Sequence, residues 1–278
     1  MPRAWLRSEP SFRYCRFGVT ATWCLGLLTQ ECSGSLSCGA FAALIMALVP
    51  AHIMRSVGGG YDNESIAMTA MCLTFYLWCR ALRADAKPAA AAAKSEGGDA
   101  SSEAGAGSVA PATRSSYVYG VLCGLAYIYM VAAWGGFVFV LNMIGLHAAM
   151  LVVIGRYTSS LHRAYTLFFI VGTFGATRVP PVGMNPFKSM EQLAPLAVFV
   201  GMQVLEAGMA QRRKHKLSFA ETIKVFLRIA VPVGVVLLVV CSYLFSVGYF
   251  GPLTARVRGL FVKHTRTGNP LVDSVAEH

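Results

Sequence analysis

Two carboxylates separated by one residue, Asp62 and Glu64, stand where one apolar run ends and another begins. They close the stretch Arg55-Ser56-Val57-Gly58-Gly59-Gly60-Tyr61-Asp62-Asn63-Glu64. An acid-x-acid pair supplies hard oxygen ligands of the kind that suit a divalent cation. Three consecutive glycines just before it relax the backbone for a tight turn or a close approach to another group. The plainer reading is that acidic residues punctuate a helix start, where Asp and Glu meet the positive end of the helix dipole.

What holds those carboxylates in place follows from composition. The chain has 278 residues, of which 55% are hydrophobic and 13% charged. Its mean hydropathy is +0.55. These values exclude an ordinary soluble domain and give an all-α polytopic membrane protein, a multi-span helical bundle. The net charge of +11 belongs to basic loops on one membrane face, because no basic helix with interleaved aromatics offers a nucleic-acid surface. Eight cysteines are scattered without any C-x-x-C pair, so buried thiols are expected and structural zinc is not. Cys32 and Cys38 are near enough in sequence to pair, but are expected to stay reduced.

The apolar run Phe17 to Leu28 is too short to cross a bilayer, and reads as part of a helix whose beginning is missing. Cys32 to Met54 is uncharged and reads as one span. Crossings are then expected over 65–82, 117–133, 137–155, 164–180 and 192–211, with a last one opening at Ile229 and running on to Ala255. Trp134-Gly135-Gly136 divides the uncharged stretch Tyr117 to Gly155 into two spans. Trp134 there is an interfacial aromatic or, on the sharper reading, a side chain facing a sugar. Glu206 falls near a helix end, where a carboxylate costs least. Four regions result: a partial membrane segment over 1–83, a low-complexity Ala/Gly/Ser loop over 84–116, core spans over 117–255, and a polar tail over 256–278.

Six crossings put the Asp62/Glu64 loop and the tail on the same face. The opposite face gathers Arg80, Arg83, Lys87, Lys94, Arg114, Arg156, Arg163, Arg212, Arg213, Lys214, Lys216, Lys224 and Arg228. The acidic face holds fewer: Arg55, Arg178, Lys188, Arg256, Arg258, Lys263 and Arg266. The positive-inside rule makes the richer face cytoplasmic. Asp273 and Glu277 then join Asp62 and Glu64 on the lumenal or external side, which favours a metal or substrate site over simple helix punctuation.

Three ordered motifs carry a resemblance. The run Arg55 to Glu64 resembles the second acidic motif of the eukaryotic oligosaccharyltransferase catalytic subunit. Ala133-Trp134-Gly135-Gly136-Phe137-Val138-Phe139 is similar to a later lumenal turn of that family. Ser274-Val275-Ala276-Glu277-His278 resembles its Ser-Val-Ser-Glu-His segment, with alanine at the second serine. The resemblance implies the GT-C glycosyltransferase membrane core and transfer of a preassembled oligosaccharide from dolichyl diphosphate to asparagine in Asn-x-Ser/Thr sequons of nascent polypeptides. It implies a multi-pass protein of the endoplasmic reticulum bilayer, working with other oligosaccharyltransferase subunits and without nucleic acid. It also implies Mn2+ or Mg2+ held by Asp62 and Glu64, catalytic roles for both and for Arg55 and Glu277, and acceptor contact by Glu277 within the Ser274-Val275-Ala276 motif. Arg55 and Trp134 are implied on the donor side.

The family's first lumenal loop with a further acidic ligand does not precede Cys32, and its soluble sequon-reading domain does not follow His278. An internal fragment, inactive alone, is therefore expected. Asn63-Glu64-Ser65 is itself a sequon, read as accidental at the membrane edge. Competing readings are a polyprenyl-phosphate-dependent single-sugar transferase, a channel or transporter, and a membrane pseudoenzyme that binds partners.

Overall fold

The computed structural model describes residues 9–56, 63–83, 114–189, 192–215 and 219–249. Among them are ten helices and no strand. They are α1 (Glu9–Ser33), α2 (Leu36–Leu48), α3 (Pro50–Ser56), α4 (Glu64–Arg83), α5 (Arg114–Ala133), α6 (Phe137–Val153), α7 (Ser159–Arg178), α8 (Asn185–Lys188), α9 (Leu193–His215) and α10 (Phe219–Ser246). Among the described residues four helices are long and apolar enough to cross a bilayer, and five if the bent pair α2–α3 is one span. The chain is an all-α, multi-pass membrane protein. Most of the 84–116 loop and all of the 256–278 tail fall outside the described residues.

The apolar run Phe17–Leu28 lies, as expected, inside a longer helix: α1 extends over 25 residues, about 37 Å at the α-helical rise. Its ends are polar, and α1 is not among the helices apolar enough to cross. Two expectations are corrected by local chemistry. Cys32 to Met54 is not one span. Gly34, at φ +74°, closes α1 with its N–H on the Gln30 carbonyl at 2.8 Å, and Ser35 caps α2 by accepting the Cys38 N–H. Val49 is then extended, as a residue before proline tends to be, and Pro50 opens α3 at a 67° bend. The last long helix begins at Phe219 rather than Ile229, because Lys224 and Arg228 can lie along its surface and reach the headgroups. It stops at Ser246 rather than Ala255. There Gly248 adopts φ +70° and the Tyr249 N–H turns back to the Leu244 carbonyl at 2.9 Å.

Helix directions follow from the cross-contacts. Phe17 and Thr69 meet near one end of α1 and α4, and Glu31 and Arg80 near the other, so these two run parallel. Helix α5 returns antiparallel to α4, with Cys123 on the Thr74 carbonyl and Tyr119 beside Arg80. Helix α7 runs parallel to α5, since Gly120 faces Ala164 and Gly124 faces Val171. Helix α9 is antiparallel to α7, with Phe169 stacked on Phe199 and Gln203 donating to Thr166 at 2.9 Å. The alternation expected from the crossings holds from α4 to α9. Lys188 lies over the Tyr249 ring, bringing the end of α10 back to the Glu64 end.

Glycine decides how closely α5 and α7 approach. A Cβ on Gly124 lies 2.8 Å from Val171 Cβ, and one on Gly172 lies 2.8 Å from Tyr127 Cδ1. Lipid tails are as apolar as leucine, so membrane helices associate through such van der Waals contact rather than hydrophobic expulsion. Tyr127, Phe168, Tyr165, Met130, Ile144 and Trp78 fill the centre. Trp78 donates its indole N–H to His147 Nδ1 at 2.9 Å, joining α4 to α6, and meets Tyr165 edge-on. Each edge-on aromatic pair adds about 0.5–1.5 kcal/mol beyond area burial.

The far end of the bundle is held by charge. Glu31, nearly buried, accepts from Arg80 Nη1 at 2.8 Å and lies 3.7 Å from Arg83, whose Nη1 also donates to the Glu31 carbonyl at 2.7 Å. Glu206 is paired with Arg213 and accepts the Tyr157 hydroxyl at 2.5 Å. That partnering is why a carboxylate is tolerated there. Burial, then the Glu206 carboxylate, hold the Tyr157 phenol well above the usual tyrosine range.

Candidate functional site at the Glu64 end of the bundle

Arg55 and Glu64 come from different helices. Arg55 lies in the last turn of α3, and Glu64 is the first residue of α4, where a carboxylate meets the positive end of the helix dipole. Arg55 Nε stands 3.0 Å from Glu64 Oε2. The side chains are 52% and 39% exposed, so the pair contributes on the order of 0–1 kcal/mol to stability. Its significance lies in geometry: a guanidinium and a carboxylate are held together, within reach of solvent, at a membrane edge.

Trp134 shares this end. Its N–H closes α5 on the Met130 carbonyl at 3.0 Å, and its carbonyl accepts the Phe137 N–H at 3.3 Å, so a three-residue turn separates α5 from α6. The ring covers Gly136, and Trp134 is 40% exposed. Arg178 stacks over Phe174 at 4.8 Å, and Lys188 lies 5.8 Å from the Tyr249 ring centre. Both cations sit at the same end as Arg55. Between α6 and α9 a cleft of about 560 Å³ opens, lined mainly by apolar groups of Phe139, Met143, Leu146, Pro195 and Val198.

The structure therefore brings Arg55 and Glu64 into contact and puts Trp134 at their end of the bundle. Asp62, Ser274, Val275, Ala276 and Glu277 lie outside the described residues. Among the described residues no group of three His, Cys, Asp or Glu side chains is assembled to hold a metal. Carboxylate oxygen from Glu64 fits a hard cation by donor type. In the sequon Asn63-Glu64-Ser65, Asn63 is exposed and Ser65 is fully buried in the first turn of α4. Cys24, Cys32, Cys38, Cys72, Cys79, Cys123 and Cys241 are free thiols, and Cys32 Sγ lies 3.8 Å from Cys79 rather than against Cys38.

Comparison with known proteins settles the relationship. The family model described as oligosaccharyl transferase STT3, N-terminal, matches residues 16–278. The chain belongs to the STT3 oligosaccharyl transferase family. The Saccharomyces cerevisiae dolichyl-diphosphooligosaccharide–protein glycosyltransferase subunit STT3 is 34% identical over 263 residues, covering 94% of this chain and 32% of the yeast protein. The Schizosaccharomyces pombe subunit is 33% identical over 244 residues, or 87% of this chain and 28% of the relative. The Caenorhabditis elegans subunit is 32% identical over 253 residues, or 91% of this chain and 29% of the relative. This STT3-family chain thus spans about a third of the length of the curated relatives it matches. The resemblance drawn from Arg55–Glu64, Trp134-Gly135-Gly136 and Ser274–His278 named the same family.

Sequence reasoning missed His52. It is 5% exposed, with Nε2 3.1 Å from the Gly18 carbonyl and 3.3 Å from Thr22 Oγ1. The available signal was an isolated histidine three residues before Arg55 in an otherwise apolar run.

Proposed function

We propose that this chain is the N-terminal membrane part of an enzyme that transfers a preassembled oligosaccharide from dolichyl diphosphate to the side-chain nitrogen of asparagine in Asn-x-Ser/Thr sequons. The observation that supports it most is the family match through residue 278, with Arg55 and Glu64 held together at one end of the bundle. The reacting end faces the lumen of the endoplasmic reticulum, and the basic loops face the cytoplasm. Nascent polypeptide and the dolichyl-linked donor are the substrates, and other oligosaccharyltransferase subunits are the partners.

The chemistry has one difficulty that these residues address. An amide nitrogen is a poor nucleophile because its lone pair is delocalised into the carbonyl. Carboxylates at Asp62, Glu64 and Glu277 accept the amide N–H groups, hold the nitrogen near the anomeric carbon and take up its proton. Arg55 offsets the charge that develops on the departing diphosphate. The C–N bond forms as the bond from anomeric carbon to diphosphate oxygen breaks, and an in-line displacement inverts that carbon. Asp62 and Glu64 are the residues that would hold Mn2+ or Mg2+. When bound, that cation supplies further Lewis-acid stabilisation of the leaving diphosphate. The apolar cleft between α6 and α9 offers the donor's lipid chain a surface outside water.

Product analysis tests the reading. Membranes carrying the full-length protein, given dolichyl-diphosphate oligosaccharide and a sequon peptide, are expected to yield the peptide plus the intact glycan. Peptide bearing one sugar, made instead from a dolichyl-phosphate monosaccharide, overturns it.

A further inference from the structure

We propose that His52 is a positioning residue for Arg55, and that one short stretch of α1, Phe17 to Thr22, is the common seat that holds α3 and α4 in register at the reacting end. This rests on the reading of Arg55 and Glu64 as part of that end.

Helix α3 has seven residues, about two turns, and leaves α2 at a 67° bend. So short a segment does not fix its own direction. Contacts with neighbours must do so. His52 supplies a buried one: a carbonyl only accepts, so the Nε2–H donates to the Gly18 oxygen, at 3.1 Å. The same carbonyl accepts the Thr22 hydroxyl at 3.0 Å, which places Thr22 Oγ1 3.3 Å from the ring nitrogen. One turn further along α3, Ser56 donates to the His52 carbonyl at 2.5 Å, and its side chain packs on Gly18. A Cβ added to Gly18 lies 2.6 Å from Ser56 Cβ, so only glycine admits α3 at this distance.

The same α1 stretch seats α4. Thr69 donates its hydroxyl to the Phe17 carbonyl at 2.8 Å and lies 3.2 Å from Thr20 Oγ1. Thr69 is five residues on from Glu64, and Arg55 is three residues on from His52. Both members of the ion pair are thus referred to the same short stretch of α1 through buried or half-buried polar contacts. The burial of His52, against the 52% exposure of the Arg55 side chain, separates the two roles. His52 touches only protein, and Arg55 faces what binds.

The test uses full-length protein in its membrane, with transfer to a sequon peptide measured per amount of folded protein. His52→Ala is expected to lower kcat about tenfold at unchanged KM for the peptide, since loss of orientation slows the reaction more than it weakens binding. His52→Gln retains an N–H donor at the right reach and is expected to recover to within about threefold of the native rate. Because His52 acts through Arg55, the double variant His52→Ala/Arg55→Ala is expected to be no slower than Arg55→Ala. Gly18→Ala is expected to lose activity, and adding Ser56→Gly to restore most of it. This compensating pair decides the matter should His52→Ala fail to accumulate. Equal losses in His52→Ala and His52→Gln, losses that multiply with Arg55→Ala, or no rescue by Ser56→Gly overturn the seat. Native activity in Arg55→Ala instead overturns the reading of the site itself.

Discussion

Arg55 and Glu64 form a contact too exposed to matter much for folding, and that contrast is itself measurable. Arg55→Ala is expected to change stability by less than about 1 kcal/mol, read as a small shift in thermal melting in detergent. Transfer is expected to fall by about 100-fold, the scale seen when one preorganised charge-stabilising group is removed. Arg55→Lys keeps the charge but loses the planar fork, and is expected to stay well below native activity. Arg55 and Glu64 could be singled out beforehand, because charge at the edge of an apolar run is conspicuous; their contact is what the structure adds. His52 was not legible. Its partner, the Gly18 carbonyl, lies 34 positions away and carries no side chain to announce itself. A lone histidine in an apolar stretch has the same appearance whether it is filler or a brace.

At the scale of elements, close glycine contact and a buried carboxylate do the holding, and each has its own failure. Gly124→Ala forces Val171 or the α5 backbone to move and is expected to cost about 1–3 kcal/mol by overpacking. Glu31→Ala strips the partner from Arg80 and Arg83 and is expected to cost about 1.5–3 kcal/mol. Both are read as lowered melting temperatures, and Glu31→Gln is expected to recover part of the loss. The ends of α4 and the Trp134-Gly135-Gly136 turn could be read from sequence because charge and glycine mark them. The interruption of Cys32 to Met54 was passed over. That run carries no charge to mark a break, which falls instead where Gly34 turns left-handed and Val49 extends before Pro50. The reach of α10 back to Phe219 was hidden likewise, since Lys224 and Arg228 look like loop residues until a helix carries them to the headgroups.

For the whole molecule the central geometric fact is alternation: Glu64, the Trp134 turn, Lys188 and the end of α10 gather at one end, with Glu31, Arg83, Tyr157 and Arg213 at the other. The alternation from α4 to α9 was legible from crossing parity, because span length follows from bilayer thickness. Close packing was not, since it depends on which glycines face which side chains. Sidedness in the membrane is tested by single cysteines in otherwise cysteine-free protein in sealed microsomes. A cysteine at Lys94 is expected to react with an impermeant maleimide from outside, and one at Trp134 only after the membrane is opened. The reverse pattern contradicts the assigned orientation.

The most direct measurement is the transfer rate of Asp62→Ala and Glu64→Gln in full-length protein, in membranes supplied with dolichyl-diphosphate oligosaccharide, Mn2+ and a sequon peptide. Both variants are expected to fold and insert normally and to transfer about 100-fold more slowly, or not at all. Turnover at the native rate in both contradicts the assignment of the Arg55–Glu64 end as the place where the bond is made.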